Sequence, residues 1–284
     1  MMSDRHIIVT IGGISIAIIP HSDKEFHLPN NCMQFVTSRK PEEFLHVWDC
    51  DAPHFSLEKN MFNSGDTSAY VSGEELIIIS HSSDKPEALS QKVIRINPRL
   101  RSTDLYYRSA ENEQYFDPLK HYLFRILMIH IFSQGLGVMV HASGVNDSGR
   151  GMMFAGRSGA GKSTMAALWK DRNCTVLGED TVIIRKIEDR FWLYGVPWKD
   201  STLSSPETCP LEDIFFIEHA QENNIVQEKG TLKSILHHSL FPLWNKPGMK
   251  FVTDSLSELV KKVPCYNLGF VPNQSVVDFI RATR

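Results

Sequence analysis

The chain has 284 residues, a formal net charge of −3, 42% hydrophobic residues and 22% charged ones. That length supports a large core in one or two domains, and that composition excludes a disordered chain and supplies no basic excess for nucleic acid or anionic lipid. The five cysteines, Cys32, Cys50, Cys174, Cys209 and Cys265, form no Cys-x-x-Cys pair, so neither a zinc knuckle nor a disulfide framework is expected.

Residues 1 to about 110 are dominated by short β-type runs between turn residues: "IIVTI", "SIAII", "MQFVT", "FLHVW", "SAYVS", "LIIIS" and "KVIRI". "AYVSGEELIIIS" reads as a hairpin about Ser72 to Glu75. The expectation is an antiparallel, β-rich N-terminal domain over residues 1–112, with "SAENEQ", residues 109–114, as its connector. The first apolar run follows acidic Asp4, is broken by Gly12 and Gly13 and has no small-residue cleavage site. It reads as strands and not as a signal peptide.

A second domain is expected over residues 113–284 and opens with a helix. Asp117 can cap it, Pro118 suits its first turn, Leu119, Tyr122, Leu123, Ile126 and Leu127 repeat at three and four residues, and Gly135 can end it. Lys120, His121, Arg125 and His130 make this stretch too polar to span a bilayer, so no membrane association and a cytoplasmic location are expected. The strand "GVMVHASGV", the turn "NDSGR" and the strand "GMMFA" follow, and the last runs into "GRSGAGKST". "TMAALWK" continues as a short helix, "CTVLGEDTVIIRKI" as a strand with an acidic break, and "RFWLYGVP" as its return partner across Glu188-Asp189. A polar loop with prolines, from Gly195, leads to amphipathic helices expected at Thr231–Phe241, stopped by Pro242, and at Asp254–Val260.

The chemistry sits at residues 156–164. Gly156, Gly161, Lys162 and Ser163 fit G-x-x-x-x-G-K-[ST], preceded by a strand and followed by a helix. Glycines let the loop turn its N–H groups around phosphate oxygens, and the helix aims its positive end at the same point. Gly156, Arg157, Ser158, Gly159, Ala160, Gly161, Lys162, Ser163 and Thr164 are therefore the expected nucleotide contacts, with Lys162 at the β- and γ-phosphates and the Ser163 hydroxyl on Mg²⁺. Glu179 and Asp180 follow Lys162 by 17 and 18 residues, too close for a full parallel crossover, which favours a mixed sheet over a doubly wound parallel one. One carboxylate would hold the metal and the other accept a hydroxyl proton, with the two roles unassigned. His141, at a strand end just upstream, can approach the same place.

Taken together, "VHASGV", "GRSGAGKST", "LGEDTVIIR" and "YGVPW" resemble the HPr serine kinase/phosphorylase group, whose nucleotide fold is shared with ATP-dependent phosphoenolpyruvate carboxykinase. The resemblance covers about residues 117–284, and the ending "VPCYNLGFVP" is similar to small relatives such as lasso-peptide kinases. It implies an α/β fold with a mixed sheet and α+β character, ATP and Mg²⁺ as cofactors, Asp180 with Ser163 at the metal, Glu179 or Asp180 as the base, and His141 against the transferred phosphate. It also implies association into homo-oligomers. Glu179-Asp180 departs from the family's Asp-Asp pair, no "LEVRGLGI"-like segment follows Trp198, and residues 1–110 differ from the bifunctional enzymes' first domain. Phosphorolysis and HPr itself are therefore not expected.

The expected activity is transfer of the γ-phosphoryl group of ATP to a hydroxyl, of a peptide or protein acceptor by the resemblance. A kinase of a small metabolite and a non-catalytic ATP sensor are the alternatives. Trp198 and Lys199 are candidate contacts better explained as a packed Trp and a solvated Lys, and Cys265 reads as core. Arg157 and Arg185 are candidates to neutralise phosphate charge. The adjacent His237 and His238 lie on an expected helix and face different directions, which argues against a two-histidine metal site.

Overall fold

The structure, a computed structural model, describes residues 6–80, 92–109, 115–116, 119, 122–198, 203–228 and 231–283. Residues 110–114 of the expected connector, the cap at Asp117 and Pro118, and Lys199 lie outside the described residues. The chain divides into two compact units, Met1–Met128 with Leu243–Lys246, and Ile129–Pro242 with Pro247–Arg284.

The first unit contains β1 (Ile7–Ile11), β2 (Ile14–His21), β3 (Glu25–Phe26), α1 (Asn30–Met33), β4 (Glu43–Trp48), β5 (Lys59–Asn63), β6 (Thr67–Ser72), β7 (Glu75–Ser80), β8 (Lys92–Asn97), β9 (Ser102–Tyr106) and β10 (Tyr115–Phe116). Eight strands form one sheet in the order β1-β2-β4-β9-β8-β7-β6-β5, and β10 pairs with β3. The β6–β7 hairpin closes with Ser72 opposite Glu75, as its sequence suggests. The sheet is mixed and not antiparallel, because β4 lies parallel to both β2 and β9. Parallel neighbours require long crossovers, supplied here by residues 22–42 and by the excursion that builds β5 to β8. "MQFVT" is no strand: Met33 ends α1, and Val36 makes a single bridge to Val9 that shields the β1 edge. Strand β5, "KNMFN", has no β-branched residue and is mostly exposed, so only its pairing with β6 defines it.

Helix α2 (Tyr122–Ser133) ends as expected at Gly135, whose φ of 97° permits the left-handed turn, with the N–H groups of Leu136 and Gly137 both donating to Phe132 O. Next come β11 (Val138–Val140), β12 (Ala142–Asp147), β13 (Arg150–Ala155), α3 (Lys162–Lys170), β14 (Thr175–Gly178), β15 (Val182–Ile187), β16 (Arg190–Tyr194), β17 (Thr208–His219), β18 (Asn224–Gln227), α4 (Thr231–His238), α5 (Lys246–Lys262), β19 (Cys265–Phe270) and α6 (Ser275–Thr283). The sheet runs β11-β15-β16-β17-β13-β12-β14, with β19 on β17 and β18 on β19. It is mixed, as expected: β13, β17 and β19 are parallel, while β12, β14, β15, β16 and β18 enter antiparallel pairs.

The run "GVMVHASGV" is two strands broken at His141. β11 pairs with β15, whereas β12 pairs with β13 and β14. Both sheet faces are buried around β13 and β17, which explains their near-continuous apolar sequences. Met153, Ala155, Ile214 and Phe216 face one cluster with Ile235 of α4 and Val252 and Leu256 of α5. Met152, Phe154, Phe215 and Ile217 face the other, with Met165 and Trp169 of α3 and Val276 and Ile280 of α6. Helix α6 was not anticipated, although Asn273 Oδ1 caps it by accepting from Ser275 N at 2.9 Å. It ties down α3 through Gln274, whose Nε2 donates to Leu168 O and whose Oε1 accepts from Arg172 Nε, and through the Arg172–Asp278 pair. Arg281 makes a two-pronged pair with Asp147 and lies 5.4 Å from the Trp169 ring centre. Among the described residues no helix is long and apolar enough to cross a membrane.

Phe215 is fully buried and stacks on Phe154 at 5.2 Å. Phe215→Ala should lower unfolding free energy by about 3–5 kcal/mol, the usual cost of an aromatic-to-alanine cavity. Urea denaturation checks this, and a change below ~1 kcal/mol would contradict the central place assigned to β17.

Candidate functional site

Strand β13 ends at Ala155, six residues turn, and α3 begins at Lys162. Two constraints shape the turn. Gly161 sits at φ 95°, and a Cβ there would lie 2.7 Å from Phe270 Cζ and 3.0 Å from His219 Cε1. Gly156 is hemmed in likewise, since its Cβ would stand 2.8 Å from Ala160 Cβ and 3.0 Å from Ile217 Cγ1. Gly159, also at positive φ, has open space around it. The middle of the loop, Arg157, Ser158 and Gly159, is exposed, as are Ser163 and Thr164 in the first helical turn, where backbone N–H groups lack intrahelical acceptors.

Lys162 is 7% exposed, and its Nζ donates to Gly156 O at 2.9 Å and Arg157 O at 3.2 Å. Burial pulls its pKa below the usual lysine value, and the charge of Asp180 opposes that fall. Asp180 belongs to the bend, residues 179–181, between β14 and β15, and its Oδ1 lies 3.2 Å from His141 Nδ1. His141 itself occupies the break between β11 and β12. Three separated parts of the sequence thus meet at the carboxyl end of β13: the loop with Lys162, the acidic bend with Asp180, and His141. Glu179 is half-buried in the same bend.

Other candidates go elsewhere. Arg185 Nε donates to Leu136 O, and its guanidinium lies over the Tyr194 ring, so it is engaged by the turn before β11 and by β16. Trp198 is buried, as expected of a packed Trp. Cys265 is 4% exposed, and burial pushes its thiol up to about 12, which fits a core residue.

His219 was not singled out from the sequence, and His238 was weighed there only as half of a two-histidine metal site. His219, at the end of β17, is exposed, tilts onto Phe270 at 5.0 Å and flanks Gly161. His238, the last residue of α4, is half-buried, while His237 beside it is exposed. Its carbonyl accepts from His141 N–H at 2.7 Å. Burial pushes the His238 ring down to about 4, and the charges of Lys162, His141, His237 and Arg157 push the same way. The signal was present: "HHS" ends an amphipathic run before a proline, although a helix was expected to continue to Phe241. Instead Ser239 bridges Val140, and Leu240 N donates to Met139 O.

No family model matches the sequence, and no curated protein matches it. Among solved structures, the Hpr(Ser) kinase/phosphatase from Coxiella burnetii is matched at 10% identity and a TM-score of 0.32, over 51% of this chain and 91% of that chain.

Between pH about 4 and 6.5, His238 is neutral in the fold and protonated in the unfolded chain. Its contribution to stability is therefore full above pH 6.5 and lost as pH falls toward 4. His130, pushed down to about 4 by burial, acts with the same sign. His238→Gln should flatten, without abolishing, the loss of stability between pH 7 and 5, as read from urea unfolding at each pH. An unchanged slope would contradict the burial assigned to this ring.

Proposed function

We propose that this chain is an ATP- and Mg²⁺-dependent phosphotransferase acting on a hydroxyl, with a peptide or protein as the acceptor. The observation that carries the reading is the meeting of Lys162, Asp180 and His141 at the foot of a glycine-rich strand-to-helix loop. An exposed loop with positive φ glycines leading into a helix suits polyphosphate, and an acidic group beside the lysine suits a metal ion. The sequence resemblance supports the choice of acceptor class.

The residues fit those groups. The backbone of residues 156–161 and the first turn of α3 would receive the phosphates, while Ser163 and Asp180 would hold Mg²⁺. ATP supplies the γ-phosphoryl group and Mg²⁺ neutralises its charge. Lys162, already held by two carbonyls of its own loop, would balance the negative charge that grows during transfer. As the acceptor oxygen bonds to the γ-phosphorus and the bond to the β-phosphate oxygen breaks, the hydroxyl proton passes to a carboxylate. We assign that base to Glu179, because Asp180 is the acid whose charge reaches Lys162 and whose Oδ1 lies against His141. With Nδ1 turned to Asp180, His141 can present Nε2 to the phosphoryl group.

Lys162→Ala should reduce transfer of label from γ-labelled ATP by at least about 10²-fold with the melting temperature within a few degrees of wild type. Asp180→Asn should do the same, and Glu179→Gln should depress turnover more than nucleotide affinity. Full transfer by Lys162→Ala would sink the mechanism. Label appearing on a small metabolite and on no polypeptide would redirect the acceptor assignment.

A further inference from the structure

Helix α4 ends differently from its sequence pattern, and the ending matters. At Ser239 the hydroxyl donates to Ile235 O at 2.8 Å, and the chain then leaves the helix to lie along β11. Three contacts tie the segment down: the Val140–Ser239 bridge, Leu240 N to Met139 O, and His141 N to His238 O. His238 and His141 are therefore linked by a backbone hydrogen bond, although they stand 97 positions apart in the sequence.

The His238 ring lies over Phe216, centroid to centroid 6.2 Å and 27° apart. Phe216 pairs in register with Ala155, the residue before Gly156. This places the imidazole at the carboxyl end of β13, at the foot of the loop. Lys162 and Arg157 act on it from the loop, and His141 from the β11–β12 break. A ring serving only to cover Phe216 would be as well served by an apolar side chain; an imidazole on this spot adds polar nitrogens within the field of the Lys162 and Arg157 charges.

Resting on the phosphotransferase reading, we propose that His238 is a substrate-contacting residue that donates a ring N–H to the phosphate oxygens held by residues 156–163. Burial keeps the ring neutral at pH 7, with one N–H donor and one acceptor nitrogen. Such a donor adds a hydrogen bond to the bound anion without adding a third positive charge beside Lys162 and Arg157.

The test uses the full-length chain with histidine ring and glycine amide labels, titrated with inorganic pyrophosphate and Mg²⁺. The His238 signals are assigned by their loss in His238→Gln. The expected result is that His238 ring resonances move together with the amides of Gly159 and Gly161. His238→Ala should weaken pyrophosphate binding about tenfold, equivalent to about 1.4 kcal/mol, while His238→Gln, which keeps an N–H donor, should stay within about threefold of wild type. Movement of the glycine amides with a stationary His238 ring would overturn this inference and leave the phosphate reading standing. If neither moves, the phosphate reading falls and this inference falls with it. The wild-type titration decides between these outcomes even if His238→Ala fails to fold.

Discussion

Burying an ammonium costs several kcal/mol unless acceptors and opposite charge surround it. Lys162 is 7% exposed, and its surroundings answer that cost. Two carbonyls of its own loop accept from Nζ, and the carboxylate of Asp180 supplies the charge. For the carbonyls of Gly156 and Arg157 to point at Nζ, the chain must turn tightly between β13 and α3, which requires left-handed backbone at Gly159 and Gly161. For Asp180 to reach the same place, β14 must stop at Gly178 and bend, so that β15 leaves for a different neighbour. The split of β12 from β11 at His141 is the matching bend on the adjoining strands.

The frame that holds these bends is β17. Its first residues pair with β16, its middle with β13 and its last six with β19, so one strand joins the two halves of the sheet. Alternation along it sends Ile214 and Phe216 to the α4–α5 side and Phe215 and Ile217 to the α3–α6 side. Phe216 supports the ring of His238, and His219 at the strand end flanks Gly161. Buried Asp213 of β17 pairs with the partly exposed Arg150 of β13 and adds a cross-strand tie near the start of β13.

The first unit builds a different kind of sheet. On one face Trp48 stacks on His21 at 3.7 Å and donates to Asp104 Oδ1, while Arg95 bridges Asp104 and Glu75. Cys50, Ala52 and Phe55 fold back over the neighbouring apolar positions Ile77, Val93 and Tyr106. The parallel placement of β4 between β2 and β9 creates this cross-strand network, since it brings Trp48, His21 and Asp104 onto adjacent strands.

Local chemistry was enough to determine part of this protein from sequence alone. Gly156 to Ser163 identify their own loop, because its left-handed turns at Gly159 and Gly161 and its close approach at Gly156 call for glycine and because strand and helix periodicities abut it. The Ser72–Glu75 hairpin, the Gly135 helix end and the acidic break in "CTVLGEDTVIIRKI" were legible for the same reason: each is a short-range conflict between a residue and regular structure. Tertiary structure alone decided which strands lie parallel, where "GVMVHASGV" breaks, that Val36 guards an edge, and that α4 gives up its last turn to β11. Those outcomes depend on hydrogen bonds to residues distant in sequence, which no local pattern encodes. His238 shows the difference most plainly: its neighbours in sequence indicated a helix surface, whereas its backbone bond to His141 and its ring contact with Phe216 exist only once the sheet has formed.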